Sequence, residues 1–242
     1  MRASTEELLY VLLWTADSCL RPSWRHALDP GGFESWAWRN GLGRRLAELE
    51  RRKLVERMPE LSHERVVRLT EHGRIAALGG RDPVNRWARP WDGRWRLVLF
   101  DLPVGEAGLR LKLWRILRAE HFGYLQHSVW LTPDPVGEAR GILAAAPANP
   151  EGFFLFEGRP ASGESDQAIV RGAWDFGEIN QRYEEYLAVA HACPRRFTKD
   201  AAGFVHLQTW ARREHAAWRQ AVGRDPLLPL ALLPRSYPKT SM

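Results

Sequence analysis

The order of hydrophobic periodicities along this 242-residue chain predicts an α+β protein built in three parts. Three observations carry that expectation. Leucines at helical spacing in the first eighty residues give way to two short strand-like runs, KLVER and RVVRL. The run WDGRWRLVLFDLP, Trp91 to Pro103, alternates with the period of a strand. The last third carries aromatic residues at helical spacing and closes on a proline-rich tail.

From the N-terminus, Thr5 can cap a first helix with Leu8, Leu9, Leu12 and Leu13 inward. Arg21 to Gly32 is rich in turn residues, and a second helical region of open limits follows. Leu42, Leu46 and Leu49 then mark a helix over Arg39–Lys53. The two strand-like runs flank Met58 to Glu64 and pair as a hairpin; Thr70 caps a short helix ending at Gly79–Gly80. Helices followed by a two-stranded wing give a winged helix-turn-helix over residues 1–80. Residues 81–93 (RDPVNRWARPWDG) read as a linker, too polar for a core element.

Next comes a strand, Arg94–Leu102, stopped at Pro103, which offers no ladder donor. Trp95, Leu97, Leu99 and Asp101 point to one face and Arg96, Val98, Phe100 and Leu102 to the other. A helix places Leu109, Leu113, Ile116 and Leu117 inward and Arg115 and Arg118 outward. Two extended segments within Phe122–Thr132, a helix around Gly137–Ala146 and a strand Gly152–Glu157 complete βαββαβ, a ferredoxin-like order over residues 94–165. Arg159 to Gln167 reads as a loop. Residues 166–242 hold two amphipathic helices, one with Phe176, Ile179, Tyr183, Tyr186 and Leu187 inward, the other with Leu207, Ala211, Trp218 and Val222. The tail RDPLLPLALLPRSYPK has too many prolines for a long helix and is expected to pack back on the helices.

A formal charge of +6 favours an anionic partner, whether DNA, RNA or an anionic membrane surface. Twelve tryptophans point to small compact cores, apolar interfaces or a pocket for a flat ligand. Cys19 and Cys193 lie far apart without CxxC spacing, which suits a reducing compartment. The apolar run Leu8–Trp14 follows Glu6 and Glu7 and is too short for a membrane span, so a soluble, cytoplasmic protein is expected. No Walker-type or GxGxxG loop, HExxH or GxSxG pattern is present, and no cofactor is expected.

On the Arg39–Lys53 helix, Asn40, Arg44, Ala47 and Arg51 fall opposite the leucines. Arginine reads guanine edges bidentately and asparagine suits adenine, so this face, with Arg45 beside it, is a candidate DNA-reading surface. Arg57, His63, Arg65 and Arg68 of the hairpin would reach phosphates or the minor groove. Asp101 ends a strand, where either a metal ligand or a turn cap would sit; no recognised ligand spacing links it to Glu106, Glu120, His121 or His127. The C-terminal aromatics admit two readings. One is helix–helix core. The other is an effector pocket of Trp174, Tyr183, Trp210 and Trp218, with Arg195, Arg196 and Arg213 placed to meet phosphates.

The runs LTEHGR, GGRDP, RWARPWDGRWRLVLFDLP, FGYLQHSVWLTP, AWDF and RDPLLPLALLP, in that order, resemble the PaaX family of bacterial transcriptional repressors. The resemblance implies a DNA-binding winged helix, a central dimerisation unit and a helical C-terminal domain. It also implies a homodimer that holds double-stranded operator DNA, represses phenylacetate-type catabolism and is released by an aryl-acyl-CoA, with no catalytic activity. The central unit is also similar to the small CRISPR-associated spacer-acquisition nucleases, whose strand-end Asp corresponds to Asp101 and whose QxSV strand corresponds to Gln126, Ser128 and Val129. That second resemblance implies an alternative, a metal-dependent nuclease centred on Asp101.

Overall fold

The computed structural model describes residue 9 and residues 41–58, 66–100, 107–126, 129–135, 137–138, 140–141, 153–193 and 201–238. The chain divides into two compact units, one of residues 1–82 and 184–223, the other of 83–183 and 224–242. This is a division by compactness, distinct from the division by chain order above.

In the first unit, helix α1 is Gly43–Arg51, and Leu46 and Leu49 are buried on its inner face. Gly41, at φ +70°, turns the chain just before it, so the helix begins later than its leucine spacing suggests. Strands β1 (Val55–Met58) and β2 (Val66–Leu69) pair antiparallel, with Val55 opposite Leu69 and Arg57 opposite Val67. Helix α2 (Glu71–Ala77) is capped by Thr70, as its sequence predicts. Its end is turned off by Gly79 and Gly80, both left-handed, whose N–H groups return to the carbonyls of Ala76 and Ile75. Leu9, Leu46, Leu49, Leu54, Val55, Val67 and Ala77 form one core. From the long helix α7 (Ala201–Arg224) the unit takes buried Trp210, Ala211, Trp218, Ala221 and Val222, a helical stripe. The Trp218 indole donates to the carbonyl of Leu78 at 3.1 Å, and Arg81 donates to that of Val222 at 2.8 Å.

The second unit opens with a helix where a polar linker is expected. Helix α3 (Pro83–Ala88) starts on proline, whose fixed φ suits the first helical position. Arg86 and Arg89 both reach Asp134, each at 2.9 Å, so charge pairing across the unit replaces an apolar stripe. Strands β3 (Trp95–Phe100), β4 (Gly123–Gln126), β5 (Val129–Thr132) and β6 (Phe153–Gly158) form an antiparallel sheet in the order β4-β5-β3-β6. On one face Val98, Phe100 and Trp130 meet Leu113 and Leu117 of α4 (Ala107–Ala119). On the other, Trp95 donates its indole N–H to Asp166 at 2.8 Å. Residues 137–138 and 140–141 are helical, within the helix expected at Gly137–Ala146.

A further helix, α5 (Asp166–Ala173), begins inside the segment expected to be a loop. Ser165 caps it by accepting from the Ala168 N–H at 3.1 Å, and Val170 and Ala173 are buried. Its last turn packs against β4: a side chain at Gly123 would meet Trp174 at 2.7 Å. Helix α6 (Phe176–His191) follows. The tail packs back as expected, burying Leu227, Leu228, Leu232 and Tyr237, and Gln167 donates to the carbonyl of Leu232 at 3.1 Å. Buried Asp225 accepts from Tyr183 at 2.7 Å, from Tyr237, and from the Leu227 N–H at 2.8 Å. Burial, then the Asp225 charge, pushes both phenols well above the usual tyrosine range.

Arg96 lies buried on the core face of β3, held by Asp92 at 2.9 Å and by the carbonyl of Pro133 at 3.2 Å. The guanidinium holds the Asp92 carboxyl below its ordinary value. A lowered carboxylate pKa stabilises the fold above the unfolded value and loses that contribution as pH falls through the folded one. Asp92→Asn should therefore lower the melting temperature at pH 7, and the gap to wild type should narrow as pH falls below the ordinary carboxylate value of about 4. A gap that persists in acid would assign the effect to packing.

Candidate nucleic-acid interface

The first unit presents α1 with its leucines inward and its cations outward. Leu46 and Leu49 are fully buried, whereas Arg44, Ala47 and Arg51 are exposed. Arg45 is half-buried beside Leu46. Arg52 approaches Glu48 at 3.9 Å along the helix, a weak exposed pair. Asn40 lies outside the described residues.

Two of the hairpin's candidate cations, Arg57 and Arg68, are among the described residues, and both are exposed. Register places Arg57 opposite Val67 on the face shared with Val55, and its guanidinium pairs with Glu50 of α1 at 3.2 Å. Arg57 thus braces the hairpin against the helix. Arg68 stands opposite Glu56 on the other face, and both are exposed. His63 and Arg65 lie outside the described residues.

What fixes the hairpin against α2 is a junction that leucine spacing could not reveal. The Thr70 hydroxyl accepts from the Gly73 N–H at 3.0 Å and donates to the carbonyl of Lys53 at 2.7 Å, with that of Leu54 at 3.2 Å. The Thr70 N–H donates to the Leu54 carbonyl at 3.1 Å. Lys53 itself is left-handed at φ +56°, where the chain turns from α1 into β1. A Cβ on Gly73 would lie 1.8 Å from the Leu54 oxygen, so only glycine lets α2 approach that backbone.

The candidate effector residues divide between the units. Trp174 and Tyr183 belong to the second. The Trp174 indole donates to the carbonyl of His121 at 3.1 Å and its ring lies 6.1 Å from that of Trp95; Tyr183 is spent on Asp225. Trp210, Arg213 and Trp218 belong to the first. Trp210 donates to the carbonyl of Val189 at 2.9 Å, Trp218 meets Tyr186 edge-on at 5.2 Å, and Arg213 is exposed. The indole N–H groups of Trp174, Trp210 and Trp218 are thus all engaged by main-chain carbonyls. Arg195 and Arg196 lie outside the described residues. So does Asp101; among the described residues no three His, Cys, Asp or Glu side chains gather as a metal-ligand set. No helix among them is long and apolar enough to cross a membrane.

Two family models match this chain. That for the PaaX protein central Cas2-like domain covers residues 88–170, and that for the PaaX-like protein C-terminal domain covers residues 174–242. They define a transcriptional regulator as the class of protein. The chain belongs to the PaaX family, whose members regulate phenylacetic acid catabolism. No curated protein matches. Among solved structures, the uncharacterized protein Rv0674 from Mycobacterium tuberculosis is similar at 20% identity and a TM-score of 0.42, over 82% of this chain and 74% of that one. The nuclease alternative gains no support from these matches.

Gly73→Ala should destabilise the fold by about 3 kcal/mol, because neither the Leu54 carbonyl nor the capped helix can yield without losing hydrogen bonds. Gly108→Ala, which meets nothing within 4 Å, is the control and should leave the melting temperature unchanged or slightly raised. Equal melting of the two variants would remove the junction from the hairpin's support.

Proposed function

We propose that the protein is a dimeric, cytoplasmic transcriptional repressor of a phenylacetate-type catabolic operon, without catalytic activity of its own. In this reading residues 1–80 form a winged helix, 94–165 a ferredoxin-like dimerisation domain joined by the linker 81–93, and 166–242 an effector or assembly domain. The observation that carries the DNA-binding function is the outward face of α1, where exposed Arg44 and Arg51 flank a small Ala47 opposite two fully buried leucines. A helix so built lets its backbone approach a groove floor while guanidinium groups reach base edges and phosphates. The adjoining hairpin supports the wing, with Arg57 and Arg68 its exposed cations among the described residues.

The sheet order β4-β5-β3-β6, antiparallel throughout, supports the ferredoxin-like reading. Pairing with a second copy is supported by the face of β6. Phe154 and Phe156 are 58% and 56% exposed and stand beside Leu99 and Leu97 of β3, extending an apolar row to the sheet edge. A two-fold axis would bury such a patch against itself and fix the half-site spacing of a near-palindromic operator. An aryl-acyl-CoA would release the DNA by favouring a dimer geometry that no longer fits that spacing.

Fluorescence anisotropy with a duplex from the regulated promoter tests the reading surface. Arg44→Ala should weaken specific binding by about 1–3 kcal/mol; unchanged affinity would take Arg44 off the DNA. Sedimentation tests the dimer: Phe154→Glu with Phe156→Glu should yield monomer, and an intact dimer would place the two-fold contact elsewhere.

A further inference from the structure

Helix α4 of the second unit carries Arg110, Lys112, Arg115 and Arg118 and not one acidic residue; the nearest acids in sequence, Glu106 and Glu120, stand beyond its two ends. All four cations are exposed. By contrast, α1 sets Glu48 and Glu50 among its arginines, and α6 pairs its half-buried Arg182 with Glu178. At 100° per residue, Arg118, Leu111 and Arg115 lie opposite the buried Leu113 and Leu117, with Lys112 and Arg110 at the two flanks. Leu111 is 52% exposed at the centre of this face. The Arg118 guanidinium lies 5.3 Å over the Trp114 ring, which is itself wedged between Tyr124 and Trp130. That stacking holds one cation in place at little entropic cost on binding. Among the described residues, Lys112 and Arg115 have no ion-pair partner.

We propose that the solvent face of α4 is a second phosphate-binding surface for double-stranded DNA, separate in sequence from α1 and the hairpin. The proposal rests on the DNA-binding reading above. Arg110 to Arg118 covers about 12 Å of helix rise. That length corresponds to about three or four phosphates of one strand, spaced about 3.4 Å along the duplex axis. The face carries arginine and lysine and no side-chain amide or acid, and its positive charge meets phosphates whatever the base sequence. An anionic membrane fits less well. An interfacial helix buries a broad apolar face in the lipid, whereas the apolar face of α4 is already spent on the sheet, leaving Leu111 and the edge of Trp114.

The test uses the full chain with Lys112→Gln, Arg115→Gln and Arg118→Gln combined, titrated against a duplex of unrelated sequence from about 50 to about 200 mM salt. A control variant, Arg171→Gln, Arg182→Gln and Arg224→Gln, removes equal charge from the same unit. The α4 variant should bind about 10–100-fold more weakly at the low-salt end, with a salt slope shallower by about 2–3. The control should change the slope by less than one. Arg115→Lys with Arg118→Lys, which keeps the charge, should restore binding, and an unaltered melting curve shows each variant folded. Indistinguishable slopes for the α4 variant and either wild type or the control would overturn the proposal. So would loss of binding to phosphatidylserine vesicles with DNA binding intact. Wild-type protein that binds no duplex at all would instead remove the underlying DNA-binding reading.

Discussion

The contact between Gly73 and the backbone of Leu54 is the constraint on which the candidate interface depends. Three elements converge there: the turn leaving α1, the first strand of the hairpin, and the first turn of α2. Thr70 ties them by donating, accepting and offering its own N–H within one cluster. Those bonds join the Thr70 hydroxyl and N–H to main-chain groups, so polar contacts set the junction beside the aliphatic core. The outward face of α1 is thereby left to charge, and the inward one to a small aliphatic core.

The second unit solves a different problem, since its sheet needs both faces covered and a buried charge satisfied. Arg96 sits among apolar neighbours on β3 and is tolerable because Asp92, the Pro133 carbonyl and Glu157 surround its guanidinium. Asp134 plays the reciprocal part just past the end of β5, drawing in Arg86 from α3 and Arg89 from the residue after it. Arg89 is buried enough that its guanidinium is held below the ordinary arginine value, the Asp134 charge partly offsetting that loss. Charge pairs of this kind select one arrangement of elements, because the alternatives leave an ion buried alone.

Much of this was legible in the residues, and what was hidden shares a physical cause. The hairpin, the Thr70 cap and the Gly79–Gly80 stop all follow from local chemistry: alternation, an oxygen at a cap, and residues free to take positive φ. The inward set of α4 follows from its 3.6-residue period. Helix α3 was hidden because RDPVNRWARP has no apolar stripe; its support comes from Asp134, some forty residues on in the chain. Helix α5 was hidden because two buried positions are too few to establish a period. The face taken by Arg57 was hidden for another reason: Leu54 and Val55 are both apolar, so alternation alone does not say which face a following residue takes. Only the register with Val67 shows Arg57 turned toward Glu50.

The buried carboxylate of Asp225 has a bearing on how this chain could exchange parts with its relatives. Its three donors come from α6, from the residue two places on, and from Tyr237 near the end of the described chain. Tyr237 also rests edge-on against Trp87 and Phe176. The tail is therefore neither an independent module nor a loose appendage, and Tyr183, Asp225 and Tyr237 form a unit of inheritance. In a chimera, grafting a foreign tail without its matching helix would leave an ion in a dry site with too few donors. Recombination points that keep α6 and the tail from one parent are the ones the fold can accept.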